Sequence, residues 1–133
     1  MASIIQDRKT YLSEGGAIPP NRLVKVGTAS TQVALATAAD AAFGVTQGDA
    51  AEAAKPIPVE LLAPGKIVTI EAAGVIADKA AVVTAADGKV QTVSGLASGT
   101  YYKVGVAEEA AAADGSEVMI RILASLGDTY TVS

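Results

Sequence analysis

Two stretches decide how this chain reads: Phe43–Leu62, FGVTQGDAAEAAKPIPVELL, and Val104–Leu123, VGVAEEAAAADGSEVMIRIL. They align without a gap, Phe43 onto Val104 and Leu62 onto Leu123, with Gly44 on Gly105 and Val45 on Val106. Ile57, Val59 and Leu61 stand two apart and fall on Val118, Ile120 and Ile122, while Glu60 and Arg121 share the opposite phase. Successive side chains of a strand point to opposite faces, so this alternation marks a strand buried on one side only. A one-residue slip would turn every apolar side chain outward, and the phase is kept in both copies. The pattern therefore predicts two similar β units packed as a pseudo-symmetric pair.

Working outward, RLVKVGTASTQVAL (Arg22–Leu35) loosely echoes AAVVTAADGKVQTV (Ala80–Val93). Short β-like runs alternate with turn signals: Arg22–Val26, Gln32–Ala36, Phe43–Gln47, Pro56–Leu62, Lys66–Ala72, Ala80–Thr84, Lys89–Val93, Tyr101–Ala107, Glu117–Leu123 and a final DTYTV. Strands at this spacing suggest a barrel or sandwich. The first half reads as a meander, with Pro64-Gly65 as a tight hairpin turn and Ala85–Gly88 as another. The Ala-rich connections Gly48–Lys55 and Glu108–Gly115 favour helix by propensity but are too short for a stable one, so a single turn or wide loop is expected. The fold class expected is mainly β: a small barrel or β-tulip-like domain over 21–133 with at most short helical turns.

Residues 1–20 read as an N-terminal arm. Gly15-Gly16 and Pro19-Pro20 punctuate them, and no apolar period runs through Ile4, Ile5, Tyr11 and Leu12. Those four side chains are costly to leave in water and are the arm's candidate anchors for strand addition onto a neighbour. Tyr101-Tyr102, the one aromatic pair, is expected to send one ring inward and the other to an interface.

Composition closes off much chemistry. The 133 residues include no His, no Cys and no Trp, and carry a net charge of −4. Triads, thiol chemistry and the usual zinc sites lack their residues, so no cofactor, metal or catalytic residue is assigned. A scattered basic complement argues against nucleic acid. Asp7, Arg8, Lys9 and Glu14 break any apolar leader or membrane span, pointing to a soluble product of a cytoplasm. Glu108-Glu109 is the only adjacent acidic pair, and in a strand its members diverge. Asp87-Gly88 and Asp114-Gly115 are turn residues without the ligand spacing of a calcium loop. Not an enzyme is the expectation. A mean hydropathy of +0.38, high for a small soluble domain, suggests surface buried in an assembly.

The succession VTIEAAGVIADKAAVVTAADGKVQTV (Val68–Val93), then YKVGVAEEAAAADGSEVMIRIL (Tyr102–Leu123), resembles the capsid cement or head decoration proteins of tailed bacteriophages. In that family a G-V-A-x-E-A-A-A-A-D-G step leads into a final apolar strand, as at Gly105–Leu123 here. The resemblance implies a virion protein on the outer surface of the expanded shell. It would bind the major capsid protein, commonly as a homotrimer, and lock neighbouring subunits together, reaching them with an arm over Met1–Pro20. Other β-rich phage modules, such as a head fibre base, a tail component or a glycan-binding domain, are the alternative.

Overall fold

The computed structural model describes residues 8–47, 55–123 and 128–132. Eleven strands account for the described architecture: β1 (Arg8–Ser13), β2 (Leu23–Val26), β3 (Gln32–Leu35), β4 (Gly44–Thr46), β5 (Pro56–Leu61), β6 (Ile67–Glu71), β7 (Ala81–Thr84), β8 (Val90–Thr92), β9 (Gly99–Ala107), β10 (Glu117–Ile122) and β11 (Thr129–Val132). The first five close into a barrel in the order β1-β3-β2-β4-β5. The next five run β6-β10-β9-β7-β8, with β11 added along β9. A parallel bridge between Ala72 and Val90 joins the ends of β6 and β8.

The second set repeats the first, pairing by pairing. β4 meets β5 as Gly44 opposite Leu61 and Val45 opposite Glu60; β9 meets β10 as Gly105 opposite Ile122 and Val106 opposite Arg121. Val24 opposite Leu35 in β2–β3 becomes Val82 opposite Thr92 in β7–β8. Tyr11 opposite Ile57 in β1–β5 becomes Ile70 opposite Val118 in β6–β10. Even the parallel closure recurs, Ser13 beside Val33 in one barrel and Ala72 beside Val90 in the other. The chain is thus a closed five-stranded barrel followed by a six-stranded sheet of the same strand order, curled into a second barrel by the single Ala72–Val90 bridge, and the predicted pair of β units is observed. The upstream echo holds over β2 and β7. It slips by one residue over β3 and β8 because the turn between Thr84 and Val90 is one residue shorter than that between Val26 and Val33.

Three expectations are corrected. The reading of 1–20 as an arm fails over Arg8–Ser13, which is β1, hydrogen-bonded between β5 and β3. A barrel of this topology needs that strand to close, since unpaired edges leave backbone donors and acceptors without partners. The first half is not a meander: β2 lies between β3 and β4, and β3 takes β1 as its other neighbour. Pro64-Gly65 is a turn, with Gly65 at φ 90°, but no hairpin, because β5 pairs within the first barrel and β6 within the second. It is the joint between barrels. The connection Glu108–Gly115 is a loop, fixed by the bridge between Ile76 and Ala111. Gly48–Ala54 lies outside the described residues.

Each barrel has its own interior. Ile18, Val24, Val33, Ile57 and Val59 fill the first, with Tyr11 and Phe43 packed against them. Ile70, Ile76, Val82, Val90, Val118 and Ile120 fill the second. Burial of each such side chain contributes about 1.5–3 kcal/mol. Leu23, Ala36 and Val45 belong to the first barrel's strands or their ends, yet they are fully buried in the second barrel's cluster. These three are the first barrel's outer face, and the second barrel sits on it.

Polar contacts fix that junction. The turn Ala86–Gly88 lies over the first barrel: Gly88 N donates to Ala36 O at 2.7 Å and Arg22 Nη1 donates to Asp87 O at 2.9 Å. Thr84 Oγ1 donates to Ala38 O at 2.9 Å. Arg22 Nη2 pairs with Glu71 Oε2 at 3.0 Å, and Lys89 approaches the same oxygen at 3.3 Å. Gly88 has no room for a side chain, because a Cβ there would stand 2.6 Å from Leu23 O.

Candidate functional site

The residues singled out by sequence separate into distinct places. Ile4 and Ile5 lie outside the described residues. Tyr11 is half-buried in β1 and packs edge-to-face on Phe43, with ring centroids 5.4 Å apart, while Lys9 Nζ stands 5.3 Å from its ring. It is a wall of the first barrel. Leu12, one residue on, points the other way and is 37% exposed. Tyr101 and Tyr102 are both half-buried in β9 opposite Tyr130 and Thr129, and Tyr101 Oη donates to Ala97 O at 2.9 Å. Both rings are partly exposed, and β11 pairs along the edge of β9 beside them.

Charged groups hold strands together. Glu108 accepts from Arg121 Nε at 2.6 Å and from Lys79 Nζ at 3.1 Å, and these bonds, Arg121's first, keep its carboxyl below the ordinary glutamate range. Lys79 is raised in turn, chiefly by Glu108. Glu109 turns away and accepts from Met119 N at 3.1 Å. The adjacent acidic pair therefore diverges into two separate structural roles. Lys89 bonds Asp114 at 2.9 Å, which lowers the Asp114 carboxyl and raises the lysine. Lys25 pairs with Asp40 at 2.9 Å and lowers that carboxyl. Among the described residues no cluster of three acidic side chains could hold a metal, and no helix is long and apolar enough to cross a membrane.

The concave feature that sequence reasoning missed is a cleft of about 460 Å³ on the second barrel. Ala81 of β7, Val93 just after β8, Val106 of β9 and Leu123 just after β10 line it, together with Lys103, Asp128 and Tyr130. Leu123 is 55% exposed. The lining is mainly apolar, with Lys103, Asp128 and Tyr130 as its ionisable residues. The signal was present in the repeat, since Val106 aligns with Val45 and Leu123 with Leu62, but only the fold reveals that Val45 is covered and Val106 is not.

No family model matches this sequence, and no curated protein matches it either. Among solved structures, the chain is similar to the head fiber gp8.5 N base of bacteriophage phi29, with 16% sequence identity and a TM-score of 0.70 over 90% of this chain and 95% of that one. At that identity the likeness is one of fold, and it spans both barrels.

Proposed function

We propose that this protein is a structural component of a phage head, held on the outer surface of the expanded capsid, where it ties neighbouring major capsid subunits together. The observation that carries the reading is the likeness of the whole tandem-barrel fold to a head fiber base. The resemblance of Gly105–Leu123 to capsid cement proteins points to the same place on the virion. Binding that favours the expanded lattice stabilises it by RT ln(1 + [L]/Kd), about 2.7 kcal/mol per site at a hundredfold excess over Kd. Several copies acting together would add avidity.

A second form of the reading, in which the protein is the pedestal of a fiber, is favoured by the same structural likeness. Co-sedimentation with expanded and unexpanded heads tests both. Saturable binding to expanded heads at a fixed ratio to the major capsid protein supports cementing, and a gain in the heads' resistance to heat completes it. Binding without any gain in head stability supports the pedestal. Binding to neither form of head refutes the proposal.

A further inference from the structure

The two barrels are repeats, but their equivalent faces are not equally covered. In the first barrel Leu23, Val45 and Ala36 are fully buried because the second barrel sits on them. Their counterparts in the second barrel, by strand register, are Ala81, Val106 and Val93, which line the open cleft. Leu62, half-buried, corresponds to Leu123, which is 55% exposed. The cleft is therefore the second barrel's copy of the surface by which the first barrel makes its one internal contact.

The complementary surface shows the same asymmetry. The second barrel meets the first through Glu71, Thr84 and Gly88. Their counterparts in the first barrel are Leu12, Val26 and Thr31, all exposed, with Val26 at 59%. So the described residues leave one such socket and one such plug exposed.

The differences between plug and socket match. Inside the chain Arg22 pairs with Glu71 across the junction. The residues equivalent to that pair are Ala80 and Leu12, so both charges are replaced by apolar groups at once; Lys103 and Asp128 are the charges that line the cleft itself. Inside the chain Gly88 has no space for a side chain over Leu23. Thr31 stands in place of Gly88; Ala81 in place of Leu23 keeps the backbone carbonyl that bars a side chain at Gly88, so Thr31 seats differently from Gly88.

We infer that the cleft at Ala81, Val93, Val106 and Leu123 receives the first barrel of a second copy of this chain, through Leu12, Val26 and Thr31, in a head-to-tail contact that continues the internal junction. Such a contact is heterologous: it generates closed rings if the rotation closes and open chains if it does not. The inference does not rest on capsid binding.

The test uses the full-length chain and two exposed substitutions, Val26→Asp on the plug and Leu123→Asp in the socket. Sedimentation velocity and light scattering give the mass, and circular dichroism reports whether the barrels stay folded. The wild type is expected to be an oligomer and each variant a folded monomer. An equimolar mixture of the two variants retains one intact plug and one intact socket, and is expected to form heterodimers and nothing larger. A wild type that is monomeric at its highest soluble concentration overturns the inference. So does loss of assembly in Leu123→Asp with none in Val26→Asp, which would mean a symmetric cleft-to-cleft dimer. If either aspartate variant fails to fold, Val26→Thr and Leu123→Ser take its place, with a weakened self-association constant as the readout. A chain that assembles this way yet binds no phage heads would refute the proposed function and leave this inference standing.

Discussion

Gly44 and Gly105 occupy the same position in the two repeats, and adding a methyl group to each should have unequal consequences. A Cβ at Gly105 would collide with the carbonyl oxygen of Arg121 and stand 3.1 Å from Ile122 Cα. Both obstacles are backbone, so β9 and β10 must separate. That loosens the ladder at Gly105–Ile122 and Val106–Arg121. Overpacking of this kind costs about 1–3 kcal/mol, and each weakened hydrogen bond adds about 0.5–1.5 kcal/mol. The replacement of Gly also restricts the unfolded chain, which returns about 0.4–1 kcal/mol. The net expected loss for Gly105→Ala is about 2–4 kcal/mol.

At Gly44 the first obstacle is Val59 Cγ1, a side chain, with Glu60 O at 3.1 Å behind it. Val59 can turn away from its preferred rotamer at a cost of about 0.5–1.5 kcal/mol. Gly44→Ala should therefore lose at most about 1 kcal/mol once the unfolded-state term is included. Urea denaturation of both variants at one protein concentration measures the difference. With a slope of about 1–3 kcal/mol per molar, the two midpoints should lie roughly 1 M apart, Gly105→Ala being the lower. Equal losses, or a loss under about 1 kcal/mol at Gly105, would refute the claim that backbone approach at the strand crossing excludes a side chain there.

Removing the Arg22–Glu71 pair by Glu71→Gln should cost about 1–3 kcal/mol, because the pair is mostly buried and Arg22 and Lys89 are both left facing a neutral group; the thermal midpoint at neutral pH reads it. Glu108, Asp114 and Asp40 have carboxyls held below their ordinary values by Arg121, Lys89 and Lys25. Their contribution is fully present above the unfolded carboxylate range of about 4 and is lost as pH falls through the lower folded values. Stability should thus drop in acid, and the drop should shrink in Glu108→Gln. Lys79 and Lys89 are raised, so their contribution is present below the unfolded lysine value and fades as strong alkali passes the folded one. Deleting residues 1–7 should leave the barrels folded, whereas deleting 1–20 removes β1 and opens the first barrel; circular dichroism and proteolysis distinguish them, and full capsid binding by the shorter deletion would remove Ile4 and Ile5 from the proposed contact.

How much of this was legible depends on what each signal measures. The phase of Ile57, Val59 and Leu61 against Val118, Ile120 and Ile122 reports which side of a strand is buried, and it carried the repeat, the strand boundaries and the β class. β1 was not legible because the run RKTYLS alternates weakly: Lys9 stands where Val68 does, and Tyr11 where Ile70 does. A polar residue at an inward position hides the period, and the Gly and Pro residues after it mimic a linker. Pairing order was hidden for a different reason. Nothing local in QVAL tells that β3 will lie beside β1, since that neighbour comes from closing the barrel.

The functional surface was the least legible part, and the duplication explains why. Comparing repeats by similarity finds the positions both barrels need, such as the Gly44–Gly105 crossing, and those are interior. An interface that only one barrel makes internally shows up instead where the repeats differ, at Arg22 against Ala80, Leu23 against Ala81, Leu12 against Glu71 and Thr31 against Gly88. Taken singly, each difference looks like drift. Taken across the junction, the two halves of the Arg22–Glu71 pair change together, to Ala80 and Leu12. Among the described residues one copy of each face is left exposed. Leaving both apolar and exposed would cost solubility unless something covers them. The simplest surface already shaped to do so is the other end of the same chain.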